Sequence, residues 1–174
     1  DGDKIAIEIN LTQTDKFFVE RINIIGNSIT NDNVIRGELL LDEGDAYNSL
    51  ILSKSLNNLK ARNIFGTVKK TIKKGSSPEL KIIDIEIEEK ATGEISVGAG
   101  IGTSGSTLGF SLSENNFMGK GIRLNTSLNI TNQSFTGTFA ITNPNYNYSG
   151  NSVTTSFAKS SIDRSKDFGY QTDK

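Results

Sequence analysis

From Gly93 onward the apolar residues recur at every second position, a period that only an extended chain can place on one side. Ile95, Val97, Ala99 and Ile101 alternate with Ser96, Gly98, Gly100 and Gly102; Leu108, Phe110 and Leu112 alternate with Gly109, Ser111 and Ser113. Ile122, Leu124, Thr126, Leu128 and Ile130 make a third set, Phe135, Gly137, Phe139 and Ile141 a fourth, and Val153, Thr155 and Phe157 a weaker fifth. Period two alone fits a transmembrane barrel and a soluble sandwich equally well. The opposite face separates them, because Gly, Ser, Thr and Asn suit a wet lumen, whereas a soluble sheet shows water more Lys and Glu. The expected orientation is therefore Ile95, Val97, Ile101, Phe110, Leu112, Leu124, Leu128, Phe139 and Ile141 outward to lipid. Ser96, Asn125, Ser127 and Thr138 should face the lumen.

Before Gly93 the chain has another chemistry. It holds 28 of the 39 charged side chains and only 6 of the 17 glycines, which places a boundary between residues 90 and 94. Ile5, Ile7, Ile9 and Leu11 read as one face of a strand closing a preceding domain over 1-12. A strand follows over about 17-25, ending at the turn pair Gly26-Asn27. Thr30 is suited to cap a helix over about 31-39, with Val34, Ile35 and Leu39 facing the core, and Asn48 to cap a second helix running to about Arg62. Leu52, Leu56 and Leu59 fall on one stripe of that helix and should share a core with Ile22, Ile24 and Ile83, Ile85 or Ile87. Phe65 to Ile72 and Leu80 to Glu88 read as paired strands around a Gly75-Ser76-Ser77-Pro78 turn. The order β-α-α-β-β suits two helices on one face of a three-stranded sheet. The fold class is thus an α+β module over 13-92, followed over 93-174 by an antiparallel all-β meander that forms part of a transmembrane barrel.

Composition limits the chemistry. Cys and His are both absent, which removes Ser-His and Cys-His nucleophiles, thiolate sites and the usual zinc sites, so no enzyme, cofactor or metal is expected. A net charge of −1 with scattered basic residues argues against nucleic acid. No apolar run reaches the length of a transmembrane helix, a test that barrel strands escape.

The first half resembles a POTRA domain. Phe18-Val19-Glu20-Arg21-Ile22-Asn23-Ile24-Ile25-Gly26-Asn27 stands at its opening strand and turn, Val34-Ile35-Arg36 with Glu38 on its first helix, and Gly44-Asp45-Ala46-Tyr47-Asn48 and Ser55-Leu56-Asn57-Asn58-Leu59 before and within its second. The second half is similar to the barrel start of the BamA family. Gly93-Glu94-Ile95-Ser96-Val97-Gly98-Ala99-Gly100 matches the first strand, Glu114-Asn115-Asn116-Phe117-Met118-Gly119-Lys120-Gly121 the first periplasmic turn, and Thr142-Asn143-Pro144 the second. The resemblance implies a bacterial outer-membrane protein with its POTRA part in the periplasm, which assembles other β-barrels. Its implied partners are unfolded outer-membrane protein substrates, outer-membrane lipoproteins of an assembly complex and the lipid bilayer. The alternative is an outer-membrane translocator of a secreted protein with the same architecture.

Two strand edges carry the expected activity. The first barrel strand, with Ile95, Val97, Gly98, Gly100 and Ile101, would be a lateral gate, since a glycine-rich edge holds its register weakly. The POTRA edge strand, with Phe65, Val68, Lys70 and Ile72, would accept an incoming strand by β-augmentation. Other motifs have plainer readings. Gly100-Ile101-Gly102-Thr103-Ser104-Gly105 has a G-x-G-x-x-G spacing but precedes another strand rather than a helix. Asp42, Glu43 and Asp45 read as a solvated turn rather than a cation site. The Lys69-Lys70 and Lys73-Lys74 pairs read as charges that deter unwanted pairing.

Overall fold

The computed structural model describes residues 15–102, 105–165 and 169–174. The strand expected over 1-12 lies outside the described residues. The described chain runs β1 (Phe18–Ile25), α1 (Asp32–Arg36), α2 (Ser49–Ala61), β2 (Phe65–Lys74), β3 (Leu80–Glu89), β4 (Gly93–Gly102), β5 (Gly105–Phe117), β6 (Ile122–Thr131), β7 (Ser134–Tyr146), β8 (Asn151–Arg164) and β9 (Tyr170–Asp173). α1 and α2 precede Gly93, and two sheets meet there.

In the first sheet the order is β1-β3-β2, with β1 parallel and β2 antiparallel to the central β3. Ile83 and Ile85 of β3 lie fully buried beneath α2, whose Leu52, Leu56 and Leu59 stripe packs with Val19 and Ile22 of β1 and Ile35 of α1. α2 starts where expected: the Asn48 carboxamide oxygen accepts from Leu50 N–H at 2.9 Å and Ile51 N–H at 3.2 Å, satisfying two freed donors of the first turn.

α1 departs from the expected 31-39. It is five residues long, its N-cap is Asn31 rather than Thr30, and no side chain caps it. After Arg36 the bonds shorten to i−3, with Glu38 N–H donating to Ile35 and Leu39 N–H to Arg36, so the helix unwinds at Gly37. Thr30 does not cap because its hydroxyl is engaged elsewhere.

The second sheet is an open meander in the order β4-β5-β6-β7-β8-β9, antiparallel throughout. Cross-strand partners share a face, so the register decides the orientation of every side chain. Ile95 pairs with Leu112, Val97 with Phe110, Phe110 with Leu128, Leu124 with Ile141, and Phe139 with Phe157. The expected outward set therefore forms one continuous apolar face. Ser96 pairs with Ser111, Ser111 with Ser127 and Ser127 with Thr138 on the other. No second sheet covers the apolar face among the described residues: Val97 is 71% exposed and Phe157 68%. Here the side chains do not interdigitate as they would in a sandwich core.

Candidate functional site

An edge strand leaves one row of backbone N–H and C=O groups unpaired, so each sheet end either is covered or can recruit another strand. The outer edge of β1 is covered. Val19 N–H donates to Asp45 O at 2.9 Å, Gly44 N–H to Val19 O at 2.7 Å and Tyr47 N–H to Phe17 O at 2.7 Å. Further along, the Glu43 carboxylate accepts from Ile22 N–H at 3.0 Å, while Arg36 donates to Ile22 O at 3.1 Å. The acidic turn of Asp42, Glu43 and Asp45 is thus the cover of a strand edge.

β2 ends the same sheet on its other side, and no described strand pairs with its outer row. Of the expected edge residues, Phe65 and Val68 have their side chains buried in the core, so to an added strand they would offer only backbone. Their side chains point under α2 because a core strand must use one face of its alternation. Lys70 reaches back to Ser53 Oγ at 3.3 Å, and Ile72 is 40% exposed. Lys73 bonds Asp84 at 2.6 Å on the helix-free face, where Asp84 also accepts from Asn23 at 2.7 Å.

β4 ends the second sheet, and every residue along it is exposed. Ile95, Val97 and Ile101 lie on the apolar face, Ile101 at 91% exposure. A methyl group built at Gly98, Gly100 or Gly102 meets nothing within 4 Å, so no close packing within the described chain requires glycine there. Four of the ten residues of β4 are glycine, which weakens its pairing with β5. The G-x-G-x-x-G stretch runs from strand to strand, with Gly102 paired to Gly105.

Between the two edges lies a seam that sequence reasoning did not find. At the ends of β5 and β7 nearest the POTRA module the register slips, between Glu114 and Phe117 and between Asn143 and Tyr146. A bulge re-aims a side chain, and Pro144 sits where a missing donor is tolerated. Each bulge delivers an asparagine to the helical module. Asn116 Nδ2 donates to Thr30 Oγ1 at 2.9 Å, and Asn145 Nδ2 donates to Gly37 O at 3.0 Å and Glu38 Oε1 at 3.2 Å. Arg62 at the C-terminus of α2 bonds Gly121 O at 2.7 Å and pairs with Glu38 at 3.4 Å.

Gly119 and Gly121 make this closeness possible. Both have positive φ, and a Cβ on Gly119 would lie 2.1 Å from Ile29 O, one on Gly121 2.4 Å from the Arg62 guanidinium. The Glu114 to Gly121 stretch thus owes its residues to contact with the α+β module. Its signal in the sequence was two polar asparagines and two glycines where plain alternation should have ended.

Glu89, at the end of β3, holds the loop after β1. Its carboxylate accepts from Ser28 Oγ and Ile29 N–H, both at 2.8 Å, and from Thr30 N–H at 2.6 Å. Partial burial pushes its pKa up, but the bonds from the Thr30 hydroxyl, the Thr30 and Ile29 N–H groups and Ser28 outweigh it and hold the pKa at about 2. A carboxylate depressed below its usual 4.5 adds stability above that pH and loses it as pH falls toward about 2. Glu89→Gln should therefore lower the melting temperature at pH 6, and the gap to the wild type should shrink between pH 4.5 and 2 in melts across that range. A gap independent of pH would show that these bonds carry no charge-dependent stability.

Residues 17–90 match the family model described as "Surface antigen variable number repeat", the POTRA domain. A POTRA module bonded to antiparallel strands that carry one apolar face defines a POTRA-barrel protein. The chain is 33% identical over 120 residues to the outer membrane protein assembly factor BamA of Buchnera aphidicola, covering 67% of this chain and 19% of that protein. It is 31% identical over 122 residues to BamA of Neorickettsia risticii, covering 70% and 16%. The chain belongs to the BamA family, with a POTRA domain followed by antiparallel strands that resemble its barrel, and spans under a fifth of the length of these relatives. In fold it is similar to the crystal structure of BamA from Haemophilus ducreyi lacking POTRA domains 1-3, with a TM-score of 0.75 at 24% identity over 86% of this chain and 29% of that one. It is also similar in fold to CdiB from Acinetobacter baumannii, with a TM-score of 0.56 at 14% identity over 89% and 31%.

Proposed function

We propose that the protein containing this chain assembles and inserts β-barrel proteins in the bacterial outer membrane, with its POTRA part in the periplasm. The observation that carries this reading is the exposed, glycine-rich β4, which ends a sheet whose outward face is apolar. In a bilayer every backbone polar group needs a partner, and an unpaired row of them is costly enough to recruit another strand. An unfolded substrate strand meets that need by adding to β4, and β2 offers a second free edge in the periplasm. Neither step requires a catalytic side chain, a cofactor or a metal. The remaining partners under this reading are outer-membrane lipoproteins and the lipid bilayer.

The translocator reading shares the architecture and draws support from the likeness in fold to CdiB. A photo-crosslinking residue at Val97 or Ile101 of the full-length protein separates the two. During active growth it should capture barrel precursors. Capture of soluble exported chains alone would put the translocator first.

A further inference from the structure

We infer that a closed hydrogen-bonded ring through Asn116 and Thr30, rather than the covalent linker, fixes the angle between the POTRA domain and the barrel sheet, making both positioning residues for assembly. The role in assembly rests on the function proposed above; the ring itself does not.

The linker between β3 and β4 is only Lys90, Ala91 and Thr92, and a carboxylate stands at each end of it. Glu89 grips Ser28, Ile29 and Thr30 of the POTRA domain. Glu114 of the barrel accepts from the Thr92 hydroxyl and, at 2.6 Å, from Asn116 N–H. Asn116 then closes the circuit by donating to the hydroxyl of Thr30 at 2.9 Å, the residue whose backbone N–H donates to Glu89 at 2.6 Å. Its carboxamide oxygen accepts from Gly121 N–H at 2.8 Å, so its position is set from both sides. Thr30 and Asn116 are both buried, and no described buried side chain lacks a partner. A buried polar ring of this kind is rigid when complete and costly when one member is lost.

The seam also divides the barrel strands by role. Gly119 O accepts from Asn31 N–H at 2.8 Å, Arg62 bonds the turn after β5, and Asn145 ties the end of β7 to Gly37. None of these bonds involves β4, which pairs with β5 from Gly93 to Gly102, while Asn115 N–H of β5 donates to Thr92 O of the linker at 3.3 Å. The POTRA domain is thus fastened to the ends of β5 and β7 and to the turn after β5, which would let β4 part from β5 without breaking those bonds.

The test uses the full-length protein in lipid vesicles with spin labels on cysteines replacing Lys54, exposed on α2, and Lys159, exposed on β8. Thr30→Val keeps the shape but removes the hydroxyl, so Asn116 Nδ2 loses its acceptor; Thr30→Ser keeps the hydroxyl. The wild type and Thr30→Ser should give one narrow distance distribution, and Thr30→Val and Asn116→Ala a broad one, while heat-modifiable migration shows the barrel folded in all four. Assembly of a barrel substrate should fall on the order of five- to tenfold in the broad pair. If one substitution prevents folding, the other still decides. A narrow distribution in Thr30→Val would overturn the ring, whatever the assembly rate. Broad distributions with an unchanged rate would overturn the positioning role. Failure of the wild type itself to assemble substrate would count against the proposed function alone, because the distances are read independently of it.

Discussion

Cysteines that lock β4 to the closing strand of the full-length barrel should abolish substrate insertion, and reduction should restore it. Under the proposed function, the strand that meets β4 is supplied by the full-length barrel. A barrel in lipid has to close, because every open backbone group in hydrocarbon costs several kcal/mol. Under the proposed function, closure should be weakest at β4. Its glycines contribute no side-chain packing, and Ile95, Val97 and Ile101 lie exposed on the apolar face. A disulfide makes that exchange of partners impossible without altering the POTRA domain or the outward face. This chain contains no cysteine of its own, so it adds no competing thiol. Insertion assays before and after reduction read the effect directly. If the locked protein inserts substrate at the unlocked rate, β4 is a wall of the barrel and not a gate.

Strands β1 to β8 and the Leu52, Leu56 and Leu59 stripe were legible in the sequence because each rests on a short period set by backbone geometry. Val97, Phe110 and Leu128 meet on one face because each strand separately obeys period two and the hairpins hold register. Asn48 was legible as a cap for the same reason, since the N–H groups that donate to it lie two and three residues away. Thr30 was not. Its local chemistry is that of a cap, but its actual partner, Asn116, is 86 residues distant, and nothing within one turn of helix reports such a contact. The bulges at Asn116 and Asn145 were hidden likewise, because one extra residue in a strand shows only when its partner strand is known. Of the POTRA edge, the sequence identified the strand but not which of its side chains were free: alternation marks a face, and only the sheet order shows that β2 lies at the end while α2 covers Phe65 and Val68.

Placing a charge on the outward face should destabilise the barrel by an amount that depends on depth, which distinguishes lipid from any protein cover. Phe110 lies near the middle of β5, between Val97 and Leu128 on its two neighbours. In a bilayer Phe110→Arg should cost about 2–4 kcal/mol, the usual range for a cation at the midplane of a barrel's lipid face. Leu124, on the same face but near the end of β6 beside the POTRA seam, should cost about 0–1 kcal/mol as Leu124→Arg, because its longer side chain reaches the headgroup region. Ser111→Arg, on the opposite face between Ser96 and Ser127, points to a wet lumen and should cost less than Phe110→Arg. Folding of each variant of the full-length protein into vesicles, followed in denaturant, gives the three values. A packed second sheet would make charge costly wherever the site is buried, with no reason for the cost to fall toward the strand end. Equal losses at Phe110 and Leu124 would therefore mean that protein covers this face, and the reading of β4 as an edge open to lipid would fall with it.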